Sequence, residues 1–213
     1  MLHWVVPATR EHDHLEEAAM HDLHPSTRIL AALVERVDDA QLGASTPCPD
    51  YTVGDLLDHI GRLAIAFTEA ARKARGSNAS RPPEGSRDHL PPDWRTRIPA
   101  DVAALGAAWD DPRAWDGDTM IAGMEMPAAV VGGVALNEVV THGWDLARAI
   151  GQPYEADHDS VVGCMEFVGP LSEPGAEAGR APAFGPVVAA RRGASPFEHL
   201  IALTGRDPEW APR

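Results

Sequence analysis

With 213 residues, 44% of them hydrophobic, the chain is long enough to bury a sizeable core, as one domain or as a domain with a smaller appendage. A formal net charge of -14 argues against sequence-independent nucleic-acid binding, which needs clustered Lys and Arg, and leaves a small molecule or another protein as the partner class. The longest apolar runs, such as AAVVGGVAL at 128–136, fall short of the roughly 18 to 20 residues of a membrane span, no signal peptide is read at the start, and two cysteines make no disulfide framework, so a cytoplasmic setting is expected.

Residues 1–21 mix charge and histidine without a period, and five histidines fall within the first 24 residues. This segment is read as a partly ordered leader with solvated histidines in preference to a metal-binding tract, because His12 and His14, two apart, cannot share a helical face. A helical bundle is expected over 22–153 and a small C-terminal α or α/β extension over 154–213, giving a mainly all-α fold.

The first helix is predicted from Pro25 through STRILAALVERVDDA, with Ile29, Leu30, Leu33, Val34 and Val37 on one side. The second starts at Thr52, whose hydroxyl can cap the amide near Asp55, and continues to about Lys73. The Gly, Pro and Ser density of 76–94 marks a long crossover, or a lid over a site. A third helix is expected over Pro99 to Trp109, short extended pieces before Pro127, and a fourth helix from Pro127 to the Gly151 stop. The remainder is expected to hold helices at about 158–170 and from Ser195 to Leu203.

The fourth helix carries the most chemistry. Leu136, Val139, Val140, Gly143, Leu146, Ala147 and Ile150 form its apolar arc, while Asn137, Thr141 and Arg148 are assigned to a solvated face. Glu138 and His142, four apart, lie on an intermediate stripe with Val131 and Ala149, and Asp145 stands beside them. Residues so spaced can bring two side chains to one ion, although the pair alone reads first as an isolated or surface ion pair. On the second helix Asp58, Arg62, Glu69 and Arg72 make the polar face, and His59 projects at the edge of the apolar arc. If helices two and four pack together, His59, Glu138 and His142 converge as two imidazoles and a carboxylate, a three-ligand set with an open position. Cys48 and Cys164 are read as idle thiols, Gly132 and Gly133 as a close helix contact, and Trp94, Trp109, Trp115 and Trp144 as core or rim.

The stretches TPCPDYTVGDLLDHIGRL, ALNEVVTHGWDLARAIGQ and SPFEHLIALTGRDPEW together resemble the actinobacterial metal-binding branch of the DinB-like superfamily, related to mycothiol-dependent maleylpyruvate isomerase. The resemblance implies a four-helix bundle with a long crossover. It also implies a divalent metal, zinc or else nickel or another transition metal, held by His59, Glu138 and His142; Asp145, beside them on the same helix, is read as supporting a ligand from outside. The activity it implies is isomerisation or transfer through a thiol cosubstrate such as mycothiol. About 60 residues follow the bundle where the isomerase has a larger C-terminal domain, so maleylpyruvate is not carried over as substrate. Two other readings stand beside the thiol enzyme: a hydrolase using metal-activated water, and a non-catalytic metal-binding or stress-response module, a homodimer through a bundle face.

Overall fold

A computed structural model describes residues 20–74, 85–180 and 184–212 of the chain. Most of the leader and the first part of the 76–94 stretch therefore lie outside the described residues. The elements are α1 (His24–Glu35), α2 (Val53–Ala71), α3 (Trp94–Ala108), a hairpin of β1 (Asp118–Ile121) and β2 (Met124–Pro127), α4 (Ala128–Ala149), α5 (His158–Leu171), a single turn α6 (Glu177–Arg180) and α7 (Pro196–Leu203).

Local chemistry sets most boundaries where the pattern places them. Pro25 occupies the first turn of α1, where its missing N–H costs nothing. Thr52 and Asp55 form a reciprocal capping box at α2: the Asp55 amide donates to Thr52 Oγ1 (3.3 Å) and the Thr52 amide donates to Asp55 Oδ2 (3.0 Å). Gly151, at φ +70, stops the chain after α4. Two helices differ from expectation. α1 ends at Glu35, and Asp39–Gln41 form a separate 3-10 turn behind a capping box from Asp38. α3 begins at Trp94, before Pro99, because burying Trp94 and Ile98 outweighs the one backbone hydrogen bond that Pro99 removes.

α1 and α2 both pack between α3 and α4, so α3 and α4 stand on opposite corners of the bundle. Side-chain contacts give the directions. Gly106 near the end of α3 sits against His24 and Thr27 at the start of α1. Arg36, just past α1, bonds Gln152, just past α4, at 2.8 Å. The segment after the long connection is anchored at the start of α2, where the Arg87 amide donates to Asp55 Oδ1 (2.7 Å) and the Ser86 amide to Asp58 Oδ2 (3.0 Å). The connection thus returns the chain to the end where α2 began, α2 and α3 run parallel, and the expected crossover is present.

The core is built from Leu30, Leu56, Leu57, Phe67, Ile98, Leu105, Trp109, Leu136 and Leu146, all nearly or wholly buried. Gly132 admits the rings of Trp115 and Trp109 against α4: a methyl group there would lie 2.3 Å from Trp115. Trp94, Trp109, Trp115 and Trp144 are all buried, as core. The described part of the extension is helical. α5 is capped by Asp157 and α7 by Ser195 with Glu198. The buried Arg180 donates to carbonyls of Leu171, Gly185 and Leu203, joining the C-terminal ends of α5 and α7.

This extension overturns one face of the wheel. Asn137 (1% exposed) and Thr141 (2%) are buried, because α5 packs on that flank of α4: one turn earlier Gly133 faces Phe167. Arg148, expected in solvent, donates to the Trp210 carbonyl. Asp58, expected on the polar face of α2, is also buried, held by Arg62 and the Ser86 amide.

Candidate metal centre

His59 lies in the second turn of α2, and Glu138 and His142 lie one turn apart in the middle of α4. Because the two helices pack together, the three side chains meet. Glu138 Oε2 is 3.0 Å from His142 Nε2 and 3.9 Å from His59 Nε2, and one ligand atom from each residue lies within 4.8 Å of the others. The imidazole rings stand nearly perpendicular, centroids 4.8 Å apart. The side chains of His142, His59 and Glu138 are 8%, 12% and 17% exposed, so the cluster is largely shielded from solvent. On the core side, a void of about 10 Å³ among Leu30, Ile60, Phe67 and Val139 adjoins Glu138 and is at the lower limit for a single water.

Each ring is held from behind. His142 Nδ1 lies 3.0 Å from Asp145 Oδ2, and with Nε2 turned to the cluster the Nδ1–H donates to that carboxylate. Asp145 is wholly buried, and Arg206 satisfies it with Nε at 2.9 Å from Oδ1 and Nη2 at 2.9 Å from Oδ2. A buried carboxylate without such a cation is costly, so the arginine is what permits Asp145 at this depth. On the other ring, the Tyr51 hydroxyl lies 3.5 Å from His59 Nδ1, with ring centroids 4.9 Å apart.

The electrostatics follow from burial opposed by partners. Burial pushes the Glu138 carboxyl up, but the His142 hydrogen bond and the charges of His142, His59 and Arg206 prevail and hold it below the ordinary range. Burial favours neutral His142, but its hydrogen bonds to Asp145 and Glu138 outweigh that and raise its pKa. Asp145 is held low against its burial by Arg206 and His142. Burial pushes the nearby Cys48 thiol up to about 11, which keeps it protonated and agrees with its reading as an idle thiol. Burial likewise pushes the Cys164 thiol up.

The donor set suits a divalent transition ion. Metal–ligand bonds of about 2.0 to 2.1 Å at tetrahedral angles require donor atoms roughly 3.3 Å apart, and the two measured separations to Glu138 Oε2 bracket that value. Two nitrogens and one oxygen, with Asp145 and Tyr51 behind the rings, are donor types that could hold such an ion and would leave one position of a tetrahedron to another ligand. A second group, Asp22, His24 and Asp110, also brings ligand atoms within 4.8 Å but lies toward the surface.

All four residues that the sequence singled out, His59, Glu138, His142 and Asp145, are brought together. Arg206 and Tyr51 were not foreseen as parts of the site. Arg206 follows α7 in a Gly-Arg-Asp turn, 61 residues from Asp145, and no helical period connects them. Tyr51 lies inside the TPCPDYT motif, but only the fold brings it under His59.

Fold and site together define a helical-bundle protein whose second and fourth helices carry a His, Glu, His cluster. The chain belongs to the family of the mycothiol maleylpyruvate isomerase N-terminal domain, whose model matches residues 23–147. It is 30% identical over 139 residues to two uncharacterised proteins of Mycobacterium tuberculosis, one from strain CDC 1551 / Oshkosh and one from strain ATCC 25618 / H37Rv, covering 62% of this chain and 67% of each relative. Among solved structures it resembles a histidine-to-alanine mutant of the mycothiol-dependent maleylpyruvate isomerase, with a TM-score of 0.52 and 21% identity over 70% of this chain. The chain spans 66% of that solved chain, and the likeness speaks to the fold alone.

Proposed function

We propose that this chain binds one divalent transition metal, zinc in the first instance, through His59, Glu138 and His142, and uses it to transfer or isomerise a small electrophile with a low-molecular-weight thiol of the mycothiol type. The observation that carries the metal reading is the convergence of three shielded ligand atoms within 4.8 Å. Family membership carries the thiol. Bound there, the ion would supply the positive charge that lowers the pKa of a coordinated thiol and holds it as thiolate.

The chain's own residues supply the rest. Glu138 contributes the single negative charge of the ligand set. Asp145, fixed by Arg206, holds the His142 ring with its Nε2 lone pair turned inward. Apolar packing of Ile60, Leu63 and Val139 keeps bulk water from the core side, where a low dielectric strengthens charge interactions.

Elemental analysis of the purified protein, wild type and His59→Ala, after incubation with zinc or nickel tests the ligand set; one ion per wild-type chain and none in the variant is the expected result. A wild type free of metal sinks the reading. The thiol is tested separately, by the rate at which mycothiol and a bromobimane-type electrophile are consumed. Holo protein is expected to accelerate consumption over apo protein, and equal rates leave metal binding only.

A further inference from the structure

The two histidines of the cluster are supported in different ways. Behind His142 stands a charged pair, Asp145 with Arg206. Behind His59 stands a phenol, and that phenol has a second neighbour: the Gly85 amide donates to Tyr51 Oη at 3.4 Å. Gly85 opens the segment 85–90 that returns from the long crossover.

Gly85 lies as near to His59 as a backbone can. A methyl group added there would fall 2.2 Å from the Asp55 carbonyl oxygen and 2.7 Å from His59 Cβ. The following two amides are fastened to the same turn of α2, Ser86 to Asp58 and Arg87 to Asp55. Tyr51 thus sits where a candidate ligand, the loop before α2 and the returning crossover meet. With Nε2 given to a metal, the neutral His59 ring would carry its proton on Nδ1, and the atom placed to accept it is Tyr51 Oη.

We propose that Tyr51 is a positioning residue for His59, orienting the ring for metal and tying occupancy of the site to the seating of residues 85–87. The proposal rests on the metal reading above. It makes the two events reciprocal: metal that fixes His59 steadies the Gly85 amide through the phenol oxygen, and loss of the phenol oxygen weakens both.

The test uses the full chain, cobalt(II) as the probe ion and the Tyr51→Phe variant, which keeps the ring and removes only the oxygen. Cobalt affinity, the visible absorption of the bound ion and hydrogen exchange at the 85–87 amides with and without cobalt are the readouts. Tyr51→Phe is expected to weaken cobalt binding by about tenfold, to shift the visible bands, and to abolish the slowing of exchange that cobalt produces in the wild type. Unchanged affinity overturns the proposal. So does weaker binding with unaltered bands and exchange, since a merely structural residue gives that result. If Tyr51→Phe does not fold, Gly85→Ala decides: displacing the segment is expected to weaken cobalt binding, and wild-type affinity overturns the coupling. A wild type that takes up no cobalt overturns the metal reading itself, a separate outcome.

Discussion

Two groups of histidine and carboxylate stand at opposite levels of this molecule. The group of His59, Glu138 and His142 lies between α2 and α4, with a partner behind each ring. The group of Asp22, His24 and Asp110 lies where the chain enters α1 and leaves α3, and its contacts serve local structure. The His24 amide donates to Asp22 Oδ1 at 2.8 Å, and His24 Nε2 pairs with Asp110 Oδ2 at 2.8 Å, with the two side chains 32% and 56% exposed. Both groups satisfy a distance criterion equally well. The difference lies in what surrounds them: low dielectric and outer partners fix the donors of one, whereas water competes for every donor of the other. Proximity of donors is therefore a weak sign of a metal centre, and a fixed, shielded arrangement is a stronger one.

The comparison breaks most visibly when a ligand is removed. His142→Ala is expected to cost more than about 100-fold in zinc affinity, because losing an outer partner alone costs about 10- to 100-fold; His24→Ala should leave zinc stoichiometry and affinity unchanged. Competition titration with a chromogenic chelator measures both.

Charge burial gives the next largest contrast. Arg206→Met strands the Asp145 carboxylate in the interior and is expected to destabilise the fold by about 3 to 5 kcal/mol and to weaken zinc binding. Asp110→Asn alters a half-exposed hydrogen bond to His24 and should cost at most about 1 kcal/mol. Urea unfolding of the two variants ranks them, and similar losses would remove the distinction between the groups.

The pH dependence is subtler and has a definite sign. His142 holds its proton more tightly in the metal-free fold than in the unfolded chain, so it adds stability that is full below its ordinary value of 6.5 and is lost as pH climbs through the raised folded value. Zinc competes with that same proton. Affinity is therefore expected to rise, by up to about tenfold per pH unit, as pH climbs toward the raised folded value, and to level off once the folded ring has lost its proton. Glu138 acts oppositely: its contribution is present above 4.5 and is lost as pH falls through its lowered folded value. Calorimetric zinc titrations across the window check the affinity, and denaturation of the apo protein checks the stability.

Much of this architecture was legible in the residues. Four long helices, the cap at Thr52, and the crossover announced themselves through period, capping chemistry and Gly/Pro density. The meeting of His59, Glu138 and His142 was legible because these residues sit off both the apolar and the polar arcs of their helices. What escaped was set by neighbours distant in sequence. Asn137 and Thr141 carry polar side chains on a face that α5 covers, and a helical wheel registers side-chain type without knowing what packs against it. Arg206 and Tyr51 lie outside the helices that hold the ligands, so no periodicity could assign them, and their roles emerge only from hydrogen bonds across the fold.

The Arg206 contact with Asp145 has a consequence for biosynthesis. During translation α2 and α4 can emerge and collapse together long before residue 206 is made, leaving an interval in which Asp145 has no cation and His142 no firm orientation. Only when Arg206 docks does Asp145 gain its cation, so the charge balance behind His142 is completed by a residue made well after the two helices that carry the cluster.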